Sequence, residues 1–217
     1  TNTPASENVS YFGNANEAHW IYNFSLPPIL VYSILSGDSS YLEKLTMSMP
    51  PSQLGTSYLN FIASHDGIGL RPAESFLSKD EIDIFIEHMD NNGGKVSYRS
   101  SNTDTPEPYE INISLYDAMA VAFNKESNFG FERFICIHSI MLSLEGVPAL
   151  YIHSLFGSKN DESVKLYFFL RNSPTLNIFV FIFIQFKYLY NLLLIKLFPR
   201  AGNPTNTIIC FIPLHYI

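Results

Sequence analysis

Three stretches of the chain have the short apolar patterns that predict β-strands. The first is EAHWIYNF, Glu17 to Phe24, which is rich in strand-favouring aromatic residues. The second, SYLNFIASHD, begins at Ser57 and ends at His65 and Asp66. The third is ALYIHSLFG, Ala149 to Gly157, which again ends in polar residues. Helical patterns separate these stretches, so the sequence predicts strands that alternate with helices.

The helices are predicted from apolar spacing together with their end signals. Pro27 and Pro28 suit the first turn of a helix, where a missing backbone N–H costs little. The apolar run ILVYSILS that follows them ends at Gly37, which suits a helix C-cap. Ser78 with Glu81 three residues later forms a capping box for another helix, and a Gly-Gly pair ends it. Its apolar positions are Ile82, Phe85, Ile86 and Met89.

Two further amphipathic helices are predicted, ISLYDAMAVAF and FERFICIHSIMLSL. The apolar side of the second contains Phe131, Phe134, Ile135, His138, Met141 and Leu142. The polar stretch VSYRSSNTDTPEPYEIN is predicted to be a loop, because Pro106 and Pro108 exclude a helix. The order strand, helix, strand, helices, strand predicts a parallel α/β sheet.

The carboxyl ends of parallel strands indicate where a site would form. Ligands of such sheets bind where the loops leave the strands. His65 and Asp66 are therefore predicted to reach a site, and Gly67 and Gly69 to let the chain turn away without crowding it. Taken without further context, the default role of Asp66 is to cap a turn.

Composition narrows the function classes. Thirteen Lys and Arg against twenty Asp and Glu give a net charge of −7, which argues against nucleic-acid binding. Cys136 and Cys210 lie far apart in apolar surroundings, which predicts buried thiols in a reducing compartment. The N-terminal segment has no apolar stretch of the secretory kind, so we expect a cytoplasmic protein.

His138 and His153 lack a metal-ligand spacing, and HMDNNGG is interpreted as a helix end rather than a calcium loop.

The last quarter of the chain differs from the rest. Residues 162–217 are dominated by Ile, Leu, Phe and Tyr, above all in Leu176 to Phe198. That run is long enough to span a bilayer, but polar residues interrupt it and no basic cluster flanks it. We favour translation past a true exon or reading-frame boundary, because these residue types dominate AT-rich codons. A membrane anchor remains the alternative for this aberrant apolar tail.

Several motifs in order carry a family resemblance. ASHDGIGLRP, preceded by NEAHWIYNFSLPP and followed by PYEINISLYDA and GVPALYIHSLFGSKND, resembles the glycoside hydrolase family 13 barrels. The similarity is greatest to the branch that contains the sucrose and glucosylglycerate phosphorylases. It runs from Asn14 to Asp161, about two thirds of the chain. A lone His-Asp pair is weak evidence, whereas the same pair within this series of motifs is specific.

The resemblance implies a partial (β/α)₈ barrel, with residues 14–161 supplying about its last three βα units. Asp66 then matches the carboxylate that stabilises the transition state, and His65 the imidazole that hydrogen-bonds the donor sugar. Tyr109 and Glu110 fall in the mobile loop that exchanges the acceptor sugar for phosphate. Arg71 lies beside the same pocket, where its guanidinium would hold phosphate or an acidic acceptor. No metal or cofactor is implied, and the partners are a sugar and inorganic phosphate.

The resemblance also implies catalytic residues that these motifs do not contain. The family's nucleophile and acid/base carboxylates lie on strands upstream of Asn14, and residues 1–13, which we leave unassigned, carry neither motif. We therefore expect a fragment of a retaining α-glucosyl phosphorylase that is inactive by itself. The alternatives are a catalytically dead remnant, an α-glucosidase-type hydrolase of the same barrel, and a membrane protein anchored by its tail.

Overall fold

The structure, a computed structural model, describes residues 5–12, 17–99, 106–125 and 127–160, all within the unit Thr1–Phe181. The predictions for Cys210 and for the apolar tail lie outside these residues. The described part begins with a short helix that the sequence did not predict, α1 (Ala5–Ser10). It packs against the first strand of a parallel sheet.

The parallel sheet contains three strands in the order β1-β2-β6. They are β1 (Trp20–Tyr22), β2 (Ser57–Asn60) and β6 (Val147–Pro148). Ile21 lies opposite Tyr58 and Leu59 opposite Val147, with all strands running in one direction. Since helices occupy the connections between these strands, the predicted parallel α/β arrangement is confirmed.

Two helices connect β1 to β2, namely α2 (Leu26–Ser36) and α3 (Ser40–Ser48). The two prolines lie in the first turn of α2, and Gly37 ends it with a left-handed φ of 72°. The Gly37 N–H donates to Ser33 O at 3.0 Å, as expected of a glycine C-cap. The sequence therefore predicted both ends of α2 correctly.

Strand β2 is shorter than the sequence pattern indicated. It ends at Asn60, so the prediction that it continues to His65 and Asp66 is wrong. The β6 strand pairs only as far as Asn60, whose carbonyl then accepts the Ala149 N–H at 2.7 Å. Residues 61–67 consequently form a loop, because no partner strand remains to hold them in the sheet.

A second sheet follows this loop, in the order β3-β5-β4 with antiparallel pairing. Its strands are β3 (Ile68–Gly69), β4 (Lys95–Arg99) and β5 (Glu107–Asn112). The prediction of a loop is wrong for residues 96–99 and 107–112, because prolines exclude a helix but not every strand position, while residues 100–105 lie outside the described ranges. Pro108 lies in β5 beyond the residues that β3 pairs with, so its missing N–H removes no bond to β3.

Helix α4 (Lys79–Asn91) joins β3 to β4 and begins as predicted. The Ser78 hydroxyl accepts the Glu81 N–H at 3.3 Å, and the Glu81 carboxylate accepts the Ser78 N–H at 2.7 Å. Both halves of the capping box are therefore present. Phe85 and Met89 are fully buried, and Gly93, with a φ of 85°, follows the end of the helix.

The helix predicted over ISLYDAMAVAF shortens to α5 (Leu115–Ala118). Ser114 caps it, accepting the Asp117 N–H at 3.1 Å. Beyond Ala118 the chain turns, and the Phe123 N–H donates to Leu35 O of α2 at 3.0 Å. This tertiary hydrogen bond draws the backbone out of the helical path that the apolar pattern predicted.

Helix α6 (Gly130–Ser143) forms as predicted, with two differences in its apolar side. Phe131 is 58% exposed, whereas Ile137, absent from the predicted face, is fully buried. The third predicted strand is wrong in position, because β6 precedes it and α7 (Ile152–Leu155) lies in the middle of ALYIHSLFG.

Two further sequence predictions concern accessibility. Cys136 is a free thiol on the exposed side of α6, so the prediction that it is buried is wrong. The next residue, Ile137, is nevertheless buried, because successive helix residues are rotated by 100° and face different surroundings. None of the helices in the described ranges is long and apolar enough to cross a membrane.

Candidate active site

His65 and Asp66 lie in the loop that leaves the carboxyl end of β2. Their side chains are half exposed or more, and the His65 Nε2 atom lies 3.5 Å from the Asp66 Oδ2 atom. Ser64 supports the backbone here, because its hydroxyl accepts the Asp66 N–H at 3.2 Å. A Ser two residues before an Asp is a local turn signal that sequence reasoning overlooked.

The loop ends where Gly67 approaches strand β5. The Gly67 N–H donates to Glu110 Oε1. A Cβ atom at Gly67 would lie 2.7 Å from both Cγ and Oε1 of Glu110, and closer still to the Ile111 carbonyl oxygen. Glycine is therefore required by close contact with β5 rather than by the turn that the sequence suggested. Gly69, assigned to the same turn, lies in strand β3.

Tyr109 and Glu110 are strand residues, not members of the predicted loop. Glu110 pairs with Ser97 of β4, and the next pair joins Pro108 to Tyr98. Tyr109 is consequently the extra residue of a β-bulge, a device that redirects side chains beside many sites. On its other side β5 pairs Glu110 with Gly69 of β3.

Arg71 follows β3 and begins a 3₁₀ turn (Arg71–Ala73). The preceding residue, Leu70, donates its N–H to Tyr109 O at 3.1 Å, so Arg71 lies beside the bulge. All five residues singled out in the sequence are thus grouped around the pairing of β3 with β5. His65 and Asp66 precede β3, Arg71 follows it, and Tyr109 and Glu110 belong to β5.

A buried amide pair joins the strands below this loop, and sequence reasoning missed it. The Asn23 Nδ2 atom donates to Asn60 Oδ1 at 3.0 Å, and Asn60 Nδ2 donates to Glu145 O at 2.9 Å. Both asparagines are at most 4% exposed. Hydrogen bonds between buried amides favour one arrangement of the elements they join, here the ends of β1, β2 and α6.

Three aromatic rings gather at the carboxyl ends of β1 and β2. Tyr22 stacks on Phe24 at 5.5 Å between ring centroids, and Phe61 packs edge-on against both. Tyr22 is 47% exposed, so part of this cluster is open to solvent beside the loop that carries His65. Both rings fall within the aromatic stretch WIYNF, a signal by which Tyr22 and Phe24 could have been found.

Three further histidines, His88, His138 and His153, have local structural contacts. The His138 Nδ1 atom lies 2.7 Å from Phe134 O, and burial lowers the pKa of this imidazole. Across the described ranges, no three His, Cys, Asp or Glu side chains are grouped so as to hold a metal ion. An open groove of about 410 Å³ between α4 and β4 contains none of the five site residues.

The fold and the loop agree with the class of protein that the sequence motifs resemble. That resemblance, to the family 13 phosphorylases, implied an α/β segment with a His-Asp pair after a parallel strand. No protein-family model matches the chain. Curated relatives do match, and they place the chain with the sucrose phosphorylase and glucosylglycerate phosphorylase branch of glycoside hydrolase family 13.

The relatives are bacterial phosphorylases. The glucosylglycerate phosphorylase of Allomeiothermus silvanus is 39% identical over 165 residues, which is 75% of this chain and 30% of the relative. That of Spirochaeta thermophila is 41% identical over 163 residues, 74% of this chain and 27% of the relative. The sucrose phosphorylase of Streptococcus mutans is 25% identical over 152 residues. The chain spans about 30% of the length of these curated relatives.

A solved structure supports the fold. The sucrose 6F-phosphate phosphorylase of Thermoanaerobacter thermosaccharolyticum superimposes with a TM-score of 0.62 over 76% of this chain and 32% of its own. At 19% sequence identity this similarity concerns the fold alone. The predicted α/β class is therefore confirmed, and the finer assignment to part of a barrel is taken up below.

Proposed function

We propose that the chain is a fragment of a retaining α-glucosyl phosphorylase. The reaction of the whole enzyme is the transfer of glucose between a sucrose- or glucosylglycerate-like donor and inorganic phosphate. The observation that carries this proposal is the 39–41% identity to two glucosylglycerate phosphorylases across the segment that contains His65 and Asp66. The more distant sucrose phosphorylases support the same reaction class with a different acceptor.

Within this proposal, residues 14–161 form the C-terminal part of a (β/α)₈ barrel. Strands β1, β2 and β6 are parallel neighbours in chain order, which is how consecutive barrel strands pair. Their carboxyl ends all point to the side from which the His65–Asp66 loop leaves. That is the side on which barrel enzymes place their catalytic groups. The remaining barrel strands would come from residues that match the other 70% of the relatives.

Asp66 is the proposed catalytic residue of this chain. In a retaining mechanism two carboxyl groups about 5 Å apart act as nucleophile and acid/base, and the transition state carries positive charge on the sugar ring. A third carboxylate adds stabilisation that is strongest in that transition state. The exposed Asp66 side chain, held at the end of its loop, is suited to this role, and the neighbouring His65 would orient the glucosyl ring.

The acceptor side of the site is assigned to the β3–β5 region. Tyr109 is the bulge residue and Glu110 follows it, and Arg71 comes directly after β3 and Leu70, which bonds to Tyr109. An Arg guanidinium binds phosphate or carboxylate through two parallel hydrogen bonds. We propose that Arg71 contributes to binding phosphate or an acidic acceptor in the cytoplasm.

A hybrid enzyme tests the proposal directly. Residues 14–161 would replace the homologous segment of the Spirochaeta thermophila relative, and glucose 1-phosphate release from glucosylglycerate and phosphate would be measured. We expect an active hybrid in which Asp66→Asn lowers kcat by about 10²–10³-fold, the range for losing one preorganised electrostatic group.

The matched control is Asp80→Asn in the same hybrid. Asp80 is an exposed carboxylate in the first turn of α4, so its removal is expected to leave kcat within about twofold. A hybrid that melts cooperatively but releases no sugar phosphate would contradict the proposal and favour the catalytically dead remnant. Near-normal turnover of the Asp66→Asn hybrid would contradict the role of Asp66.

A further inference from the structure

We propose that Glu110 is a positioning residue that fixes the loop carrying Asp66. This assignment rests on the proposed function for the reaction it would serve, but the contact itself is independent of that function. The Gly67 N–H, immediately after Asp66, donates to the Glu110 carboxylate. Hydrogen bonds to an ionised acceptor are roughly twice as strong as neutral ones, so this bond outweighs an ordinary loop contact.

The loop needs such a support because the strand does not provide one. Strand β2 ends at Asn60, and regular pairing resumes only at Ile68 in β3. Asp66 lies between these two points with a side chain that is 63% exposed. A catalytic carboxylate in an exposed loop requires contacts that hold it in one geometry, because small displacements lower turnover strongly.

Glu110 is well placed to provide that contact. It lies on the central strand β5, where Ser97 on one side and Gly69 on the other fix its backbone. The Glu110 carboxylate therefore extends from a paired strand to a loop. A site is held more precisely when its loop is supported in this way by a strand. The neighbouring Ile111 is fully buried opposite Ile68 and anchors the same pairing.

Two bonds then hold the two backbone N–H groups on either side of the Asp66 α-carbon. Ser64 Oγ accepts the Asp66 N–H at 3.2 Å. Glu110 accepts the Gly67 N–H, which belongs to the peptide bond that joins Asp66 to Gly67. The absence of a side chain at Gly67 lets the loop backbone come within reach of β5. Glu110 would thus act on the reaction through the orientation of Asp66, in addition to any contact with an acceptor.

The first test uses the full 217-residue chain labelled with [¹⁵N]glycine, which gives at most eleven glycine amide signals. We expect Glu110→Ala to move the Gly67 amide proton upfield and to speed its exchange with solvent by about tenfold or more. Glu110→Gln keeps an oxygen acceptor and should restore most of both properties. The other glycine signals report whether each variant is folded.

Glu107→Ala is the matched control, because it removes a carboxylate from the same strand. The Glu107 carboxylate accepts from Arg99 at 2.6 Å rather than from the loop, so this variant should leave the Gly67 signal unchanged. A Gly67 amide that neither shifts nor exchanges faster in folded Glu110→Ala would overturn the proposal, whatever the activity of the protein.

The second test uses the hybrid enzyme. A positioning role predicts that Glu110→Ala lowers kcat by about ten- to a hundredfold with a small change in the KM for phosphate, and that Glu110→Gln recovers most of kcat. A raised phosphate KM with unchanged kcat would assign Glu110 to direct phosphate binding instead. Because the amide test needs no turnover, an inactive hybrid would contradict the proposed function while leaving the positioning contact measurable.

Discussion

At the scale of single residues, Gly67 illustrates how backbone contacts restrict the composition of the loop. Any side chain at this position would meet the Ile111 carbonyl oxygen, which belongs to a paired strand and has little freedom to move. The Glu110 side chain is the second obstacle, but it is flexible. The sequence suggested that this glycine serves a turn. In the structure glycine is needed because the loop backbone lies too close to strand β5 for a side chain.

We expect Gly67→Ala to lower the free energy of unfolding by about 1–3 kcal/mol, the usual cost of forcing an extra carbon into a packed place. Urea denaturation of the chain measures this. The double variant Gly67→Ala/Glu110→Ala should recover little of the loss, because the backbone contact with Ile111 remains. Full recovery in the double variant would show that the carboxylate alone creates the conflict.

The candidate site was predictable from the sequence only in part. His65 and Asp66 were recognisable because polar residues that end an apolar run have a defined place in α/β sheets. The bond from Gly67 to Glu110 joins residues far apart in sequence, and no local pattern indicates such a partner. The Asn23–Asn60 pair was missed for the same reason, since its two members lie on different strands.

At the scale of elements, the start of α4 is tied to α3 by one carboxylate. Glu81 completes the capping box with Ser78 and also accepts the hydroxyl of Tyr41. The Tyr41 bond first, and the Ser78 N–H second, lower the pKa of Glu81 below its ordinary value of 4.5. Because the folded state favours the charged form, Glu81 stabilises the protein above that value and loses its effect as the pH falls.

Glu81→Gln is expected to destabilise the chain by about 1 kcal/mol at neutral pH, through loss of the charge at a helix N-terminus and of charge-assisted bonds. The difference from the parent should shrink as the pH falls below 4.5 and through the lowered pKa of the folded state, because protonation then removes the charge of the Glu81 carboxyl in both states. Urea titrations across this range measure it.

Glu87→Gln provides the comparison, because Glu87 is an exposed carboxylate in the middle of the same helix. Its substitution should change stability little, because a lone exposed carboxylate contributes little. If Glu81→Gln destabilised the chain equally at both ends of the range, the stabilisation would come from shape or packing and not from the carboxylate charge.

Elements with local start and stop signals were predicted well. Pro27 and Gly37 bounded α2, and Ser78 began α4, because caps satisfy backbone groups within a few residues. The failures concern elements whose limits are set by distant partners. Strand β5 contains a proline and is held by β3 and β4, while α5 stops where Phe123 bonds to α2.

At the scale of the whole molecule, the chain is expected to have no phosphorylase activity by itself. Under the proposed function, Asp66 matches one of the three carboxylates that the family uses, and the motifs that carry the resemblance contain neither of the other two. Without a nucleophile and an acid/base, only substrate binding and electrostatic stabilisation remain. These two effects cannot complete a two-step displacement. Purified chain incubated with glucosylglycerate and phosphate should release no glucose 1-phosphate.

The Asp66→Asn chain, prepared in the same way, controls for contaminating enzyme. Release of sugar phosphate by the parent chain and not by this variant would mean that the chain is catalytically complete. Equal traces from both preparations would identify a contaminant. Calorimetric titration with glucose 1-phosphate shows separately whether a sugar pocket forms within the chain.

The topology of the parallel sheet has a consequence for the order of events during synthesis. Strands β1 and β2 are complete once Asn60 has emerged, but their neighbour β6 begins only at Val147. The whole antiparallel sheet and α6 are made in the interval, and the nearby strands β4 and β5 can pair early because little chain separates them. Until Val147 leaves the ribosome, one edge of β2 is unpaired. Chaperones that bind unpaired strand edges would act in that interval.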